Sequence, residues 1–419
     1  MNLLEQAIQA PPSLKRRQAT PPRLPSTARL LLPLLETLPQ GSLALELPDG
    51  TTRLFGSAAN DRGNGSDVPT SVTLHEWRVL ADTLRRGDTG FAEAYIDGQW
   101  DTPDLVRLLG VLARNQHKLD RACYGAGLAR WLLRLRHLLN ANTRRQAKRN
   151  IVSHYDLGNA FYRLWLDDTM TYSAALFDGD SSRSLEQAQH AKYARLLEQL
   201  ALPPGAHLLE VGCGWGGFAE IAARRGYRVT ALSLSDAQTA YARERLQRER
   251  LAERVDFRVE DYRDATGTYD GIVSIEMFEA VGERWWPTYF RKLHALLRPG
   301  GRAVIQSITI DDARFERYRR ETDFIQQHIF PGGMLASRAR LLEEARAGGF
   351  RQLDAYAFGR DYARTLTRWL ASFDDHIPVI RSLGFDERFV RCWRFYLAYC
   401  IAGFEAGSTD VGHYTFARV

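Results

Sequence analysis

Cysteine is scarce in this chain: four in 419 residues, at positions 123, 213, 392 and 400. So wide a spacing, without a close pair, fits neither a disulfide framework nor a structural zinc cluster. A reducing compartment is therefore expected, and no metal. Long apolar runs are missing as well. No stretch of about 18 apolar residues occurs, which argues against a membrane-spanning helix. Residues 1–20 place their charges after a weak apolar stretch, the reverse of a secretory signal, so the expected location is cytoplasmic. Internal repeats and low-complexity tracts are absent. What the chain has in quantity is core material: 45% of its residues are hydrophobic and 25% charged. At this length that composition buries a substantial core, most naturally in two domains, and excludes a disordered tail or a short module.

A local deficit of acidic residues is more informative than the net charge of +6. Residues 1–150 carry 21 Lys and Arg against 14 Asp and Glu, while residues 151–419 carry 35 against 36. Within the first part, residues 121–150 hold eight basic residues and no acidic one. Trp131, Leu132, Leu135, Leu138 and Leu139 recur between the arginines at roughly helical spacing. The pattern describes an amphipathic helix with a basic flank, which suits an anionic membrane surface better than a nucleic-acid groove. Peripheral association with the inner face of the membrane is the expectation, and no nucleic-acid partner. The plainer alternative is a linker helix that docks its leucines on the protein and solvates its arginines. A homodimer is compatible with the sequence and not specified by it.

Residues 1–26 contain five of the 16 prolines and are expected to be poorly ordered. Residues 27–149 read as a small mixed, mainly helical domain closed by the basic helix. In it, residues 43–55 form two short strands about the turn Asp49-Gly50, and residues 71–116 carry helical patterns broken by Gly87, Gly90 and Gly98. From residue 150 to 419 strands alternate with helices, which implies a largely parallel sheet covered on both faces. Strands are expected at 207–214, 227–235, 255–261, 269–277 and 301–310, near 350–358, and at the C-terminus. The fold class is α/β, Rossmann-like.

The segment HLLEVGCGWGGFAE, residues 207–220, is the strongest local signal. A hydrophobic strand delivers Glu210, then Gly212, Gly214 and Gly216 turn the chain into a helix and let backbone approach a ligand at the carboxyl edge of the sheet. The same glycine spacing serves NAD sites, and a tight turn without any ligand remains the bland alternative. Three details favour S-adenosylmethionine. The acid precedes the glycines by two residues, where it faces the sulfonium or amino-acid end of the ligand. The next strand ends in ALSLSDAQ, with Ser233, Ser235 and Gln238 at an adenosine edge in place of the acidic ribose ligand of an NAD site. The third strand ends in EDYRD, where Asp261 accepts from an adenine amino group and Tyr262 packs on its ring.

Residues 150–419 resemble the cyclopropane-fatty-acyl-phospholipid synthase and mycolic acid cyclopropane synthase family of S-adenosylmethionine-dependent enzymes. The resemblance rests on NIVSHYDLGNAFY, MTYSAALF, LEQAQHAKYARLL, EVGCGWGG, DYRD, MFEAVG, FIQQHIFPGG and AFGRDYARTL, in that order. The smaller N-terminal domain resembles the one carried by phospholipid-acting members. The resemblance implies a class I methyltransferase fold, with S-adenosylmethionine as cofactor and unsaturated acyl chains of membrane phospholipids as substrate. It also implies contacts of Tyr172 and Ser173 with the methionine end and of Ser274 and Ile275 with the cofactor's rim.

Alkylating an isolated alkene leaves a carbocation, so the site must exclude water, present electron-rich groups and remove one proton. In the resembled family a bound bicarbonate is the base. The matching positions here are Ala174, Glu279, Gln306, Ile308 by its backbone, and Tyr362. Two depart from the pattern: Ala174 stands where Cys is usual and Gln306 where His is usual. Either bicarbonate still binds and a cyclopropane ring closes, or the cation shifts and loses its proton elsewhere, giving a methyl-branched or methylene-bearing chain. An inactive, membrane-binding relative is the alternative from another class. Glu276, close to Glu279, is an additional carboxylate with a bearing on the proton transfer. His154 and Asp156 are expected to be structural.

Overall fold

The computed structural model describes residues 24–56, 68–116 and 157–419. The basic stretch 121–150, most of the proline-rich start, Cys123, His154 and Asp156 lie outside them.

The first described unit is built on a four-stranded sheet. After the helix Ser26–Glu36 come β1 (Ser42–Glu46), β2 (Thr52–Gly56) and β3 (Thr70–Leu74), then the helix Arg78–Ile96, β4 (Trp100–Asp101) and the helix Leu105–Arg114. β1 and β2 pair antiparallel about the Asp49-Gly50 turn, as their spacing predicts. β3 departs from the helical expectation for residues 71–116. Its alternating, partly β-branched TSVTL pairs parallel to β1 and antiparallel to β4. That pairing is made across a long connection, so no local turn signal announces it. The helix Arg78–Ile96 kinks at Gly87, where φ is +61°.

The larger sheet begins after the short helix Asn159–Arg163 and the helix Leu185–Leu200. It comprises β5 (His207–Val211), β6 (Arg228–Ser233), β7 (Val255–Val259), β8 (Tyr269–Ile275), β9 (Leu297–Ile310), β10 (Ala336–Ser337), β11 (Phe350–Ala357) and β12 (Thr409–Arg418). The spatial order is β11-β12-β9-β8-β5-β6-β7, with β10 added beside β9. From β9 to β7 neighbours run parallel, and β12 and β11 are antiparallel additions. This is the expected Rossmann-like α/β arrangement. β5 is central: the chain leaves it toward β6 on one side and later returns to β8 on the other. A crevice therefore opens at the carboxyl end of β5, where this topology binds ligands.

Apolar runs such as Leu208–Leu209 in β5 and Ala303–Ile305 in β9 are fully buried, as strands covered on both faces require. Polar residues inside the same strands, Glu210 and Gln306, are equally buried. Such residues cost free energy unless paired, so they mark the site.

The two units share packing. The helices Gly359–Asp375 and Glu387–Glu405 belong to one apolar cluster with the N-terminal sheet and its helices. Arg391, from the second of these helices, donates to the carbonyls of Tyr95 and Trp100. Its guanidinium also lies 4.0 Å over the Tyr95 ring.

Candidate active site

β5 runs out of the sheet into Gly212, Gly214 and Gly216, with φ of +87°, +50° and +85°. The helix Gly217–Arg224 starts directly after. A Cβ on Gly216 would stand 2.9 Å from the Ala242 Cβ, and one on Gly212 would stand 3.0 Å from Met277 Cγ. Glycine is required here by left-handed backbone and by close approach together. Gly216→Ala is expected to destabilise the protein by roughly 2–4 kcal/mol, from the positive φ and the overpacking against Ala242. Denaturant melts measure it, and a loss under about 0.5 kcal/mol would mean that the turn relaxes freely.

Above this turn lies a cavity of about 720 Å³. Its cofactor end is lined by Glu210, Gly212 and Gly214 from the β5 turn, by Ser233 and Gln238 after β6, and by Tyr262 after β7. Its far end is apolar and belongs to the N-terminal unit: Leu31, Leu45, Val72 and Leu109 face it. Tyr172, Ser173, Ile275, Glu279, Ile308 and Tyr362 line it as well.

Six residues expected at the site do not line the cavity. Gly216 acts inside the turn, and Ser274 is fully buried in β8. Asp261, expected to receive the adenine amino group, instead accepts from Arg263 Nε at 2.8 Å and from its terminal nitrogen at 2.6 Å. The neighbouring Glu260 lines the cavity. Ala174 and Gln306 are fully buried and form the layer behind the wall. Ser235 caps the helix Asp236–Arg248 by accepting from the Gln238 amide, and Ser233 Oγ in turn accepts from the Ser235 amide.

At the cofactor end the ionisable groups in the lining include the carboxyls of Glu210 and Glu260. Burial pushes the Glu210 carboxyl up to about 8, against the pull of Lys192. Its Oε2 has no hydrogen-bond partner among the described residues. An orphaned buried carboxylate beside a glycine turn suits the cationic amino-acid end of S-adenosylmethionine, so these residues fit that group. Tyr172 Oη bonds Tyr396 Oη at 2.8 Å. Ser173 Oγ accepts from Lys192 Nζ at 2.6 Å.

Lys192 escaped the sequence reading. It is fully buried, and burial holds its amine down at about 7, against the attraction of Glu276, Asp167 and Glu210. The available signal was its place on the apolar stripe of the helix Leu185–Leu200, one turn from Ala188 and Leu196.

Three of the five positions expected to hold an anion, Ala174, Gln306 and Tyr362, converge on a protein side chain, and Ile308 donates to the remaining one, Glu279. Glu276 Oε1 accepts from the Ala174 amide at 2.8 Å and from Gln306 Nε2 at 2.7 Å, while its Oε2 accepts from Tyr362 Oη at 2.8 Å. Glu279 Oε1 accepts from Ser307 Oγ at 2.9 Å and from the Ile308 amide. Glu279 Oε2 has no partner among the described residues. Burial and the neighbouring Glu276 push the Glu279 carboxyl up to about 8. Bicarbonate does not fit this arrangement. Its donors are already used by two carboxylates, and a third anion would face both of them.

The imidazole that position 306 lacks comes from β12. His413 stands opposite Gln306 in the antiparallel register, and its Nε2 bonds Gln306 Oε1 at 2.9 Å. Burial keeps this histidine neutral. With His413 donating, the amide of Gln306 is turned so that its Nε2 faces Glu276. Nothing in the sequence marked His413, because cross-strand register is not readable there.

Comparison with known proteins agrees with this geometry. Residues 142–414 match the family described as mycolic acid cyclopropane synthetase. The tuberculostearic acid methyltransferase UfaA1 of Mycobacterium tuberculosis is 38% identical over 379 residues, covering 87% of either chain. The cyclopropane-fatty-acyl-phospholipid synthase of Escherichia coli K12 is 32% identical over 368 residues, covering 85% of this chain and 89% of its own. Among solved structures, mycolic acid cyclopropane synthase CmaA1 complexed with SAH and CTAB superposes with a TM-score of 0.60. It is 31% identical, over 65% of this chain and 98% of that one.

Proposed function

The chain belongs to the mycolic acid cyclopropane synthetase family of S-adenosylmethionine-dependent methyltransferases, and on that premise we propose that it methylates the cis double bond of an unsaturated acyl chain carried by a membrane phospholipid. The observation that carries this reading is the single cavity joining the glycine turn to the apolar N-terminal sheet. A methylene chain needs a long apolar channel that ends at the methyl donor. When bound, S-adenosylmethionine supplies an electrophilic methyl group: the alkene π pair forms the C–C bond as the C–S bond breaks, leaving S-adenosylhomocysteine and a carbocation on the acyl chain.

The protein's part is to hold the alkene near the glycine turn, to exclude water and to take one proton. The aromatic residues Tyr172, Phe330, Tyr362 and Tyr396 line the cavity, and the electron-rich face of such a ring favours a passing positive charge. Phospholipid as carrier is supported by the similarity to a cyclopropane-fatty-acyl-phospholipid synthase over most of both chains. Docking at the anionic inner face of the membrane is supported by the eight basic residues of 121–150. The apolar helices among the described residues are too short or too polar to cross a membrane.

The test is incubation with vesicles of cis-monounsaturated phospholipid and methyl-labelled S-adenosylmethionine, read by mass spectrometry of the acyl chains. The expected result is label in the lipid and a mass gain of one CH₂. Label confined to RNA or a soluble metabolite would overturn the reading. A second reading for the product is favoured by the carboxylate at the anion position, with Ala174 and Gln306 behind it: an exocyclic methylene in place of a ring. Catalytic hydrogenation separates the two, since the methylene takes up hydrogen under conditions that leave a cyclopropane intact.

A further inference from the structure

The proton must leave the methylated chain, and one side chain is built into the wall to receive it. We infer that Glu276 is the catalytic base, its carboxylate held in the cavity wall by the Ala174 amide, Gln306 Nε2 and Tyr362 Oη, so that the protein needs no free anion for the reaction. This rests on the reading of the protein as an alkene methyltransferase.

The placement is over-determined. Glu276 has φ of +46°, in the left-handed region that side-chain-bearing residues avoid. A backbone held there by its surroundings belongs with functional sites. The fold holds it by pairing the Glu276 amide with the Gln306 carbonyl at 2.8 Å, while both carboxylate oxygens are held from three other segments. Position is what the chemistry demands. A C–H bond next to a carbocation is strongly acidic, so a weak base suffices if it stands at the right carbon.

The competing groups are poorer candidates. Tyr362 spends its proton on Glu276 and is a donor there. His413 and Gln306 lie behind the wall. Glu279 lines the cavity, but it sits beside the charge of Glu276, and that charge with burial makes it retain its proton. Burial raises the Glu276 carboxyl too, but Lys192 and the three hydrogen-bond donors oppose that rise, and those donors fix both of its oxygens at the wall.

The step balances without any further reactant. Glu276 forms an O–H bond to a proton of the added methyl group. The pair of that C–H bond becomes either the third bond of a cyclopropane ring, directly, or, after a hydride shift along the chain, the π bond of an exocyclic methylene. Glu276 ends as the neutral acid and returns its proton to solvent when the product leaves.

The experiment compares wild type, Glu276→Gln and Glu276→Gly, with and without added bicarbonate, in buffer stripped of dissolved carbon dioxide. Wild type is expected to form methylated lipid at the same rate in both buffers. Glu276→Gln, which keeps the volume, is expected to lose at least 100-fold in product formation and to stay low with bicarbonate. Glu276→Gly relieves the backbone and frees the three donors, so added bicarbonate or formate is expected to restore it at least tenfold. Binding of ¹³C-bicarbonate followed by NMR gives a readout apart from turnover: Glu276→Gly binds it and wild type does not. Wild-type turnover that rises several-fold with bicarbonate, or a Gln variant of full activity, would overturn the inference. A wild type that methylates no lipid would sink the functional reading instead, while the bicarbonate-binding comparison would still decide whether Glu276 fills the anion site.

Discussion

Glu210→Gln is expected to weaken binding of S-adenosylhomocysteine roughly 100-fold at pH 9 and far less at pH 6, as read by calorimetry. Truncating one partner of a buried charge pair costs about 2–5 kcal/mol, and each 1.4 kcal/mol is about tenfold in affinity. The pH dependence follows from where burial places this carboxyl, at about 8. Below that value Glu210 is protonated and offers a ligand ammonium no charge, and above it the charge is present. Wild-type affinity should therefore rise with pH through about 8, and the Gln variant should lack that rise. The same group gives the unliganded protein an opposite trend in stability. Its folded-state value lies above the ordinary 4.5, so the native state binds the extra proton and stability falls as pH climbs between the two. Glu210→Gln removes this part of the slope. Equal affinities for wild type and variant at pH 9 would show that Glu210 does not face the ligand.

Trp369→Ala is expected to cost about 3–5 kcal/mol of stability, the range for deleting a fully buried large aromatic side chain. Trp369 is completely buried on the helix Gly359–Asp375, with ring centroids 5.6 Å from Trp165, 5.5 Å from Tyr172 and 6.2 Å from Tyr362. Two of those neighbours line the cavity, so the hole would open beside the place where the carbocation forms. Assayed at low temperature, where the variant remains folded, it should release water-trapped product. Water then forms the C–O bond and gives up a proton, and the acyl chain carries both a methyl and a hydroxyl group. Trp369→Phe should keep most of the stability and little of this leakage. Destabilisation without any hydroxylated lipid would show that the aromatic layer supports the fold and not the exclusion of water.

Much of the site was legible because it is local. The β5 strand, the glycine turn and the helix after it are contiguous, and each carries its own signal: apolar run, required glycine, periodic stripe. Ser233, Gln238 and Tyr262 were legible for the same reason, since the ends of successive parallel strands share one edge. The departures are all tertiary. Asp261 and Glu260 are neighbours in sequence, and only the position of Arg263 decides which of them reaches the cavity. β3 and β4 escaped notice because their pairing joins distant segments. Lys192 and His413 were hidden for a related reason: a buried charge is recognisable only when the groups it faces are known.

The residue types and their order, by themselves, determined a Rossmann-like sheet, a glycine turn shaped for S-adenosylmethionine, and a family. They also set Glu279 among the anion-site positions, with Glu276 as an additional carboxylate close by. Tertiary structure put Glu276 among the donors of that site instead. Glu276 meets Ala174 across 102 residues of chain, Gln306 across 30 and Tyr362 across 86. Those meetings follow from the register of β8 against β9, which pairs Ile275 with Gln306, and from the helix Gly359–Asp375, which brings Tyr362 to the same carboxylate. Periodicity records which face of an element is buried, and register records what that face touches. Only the second carries the identity of the proton acceptor.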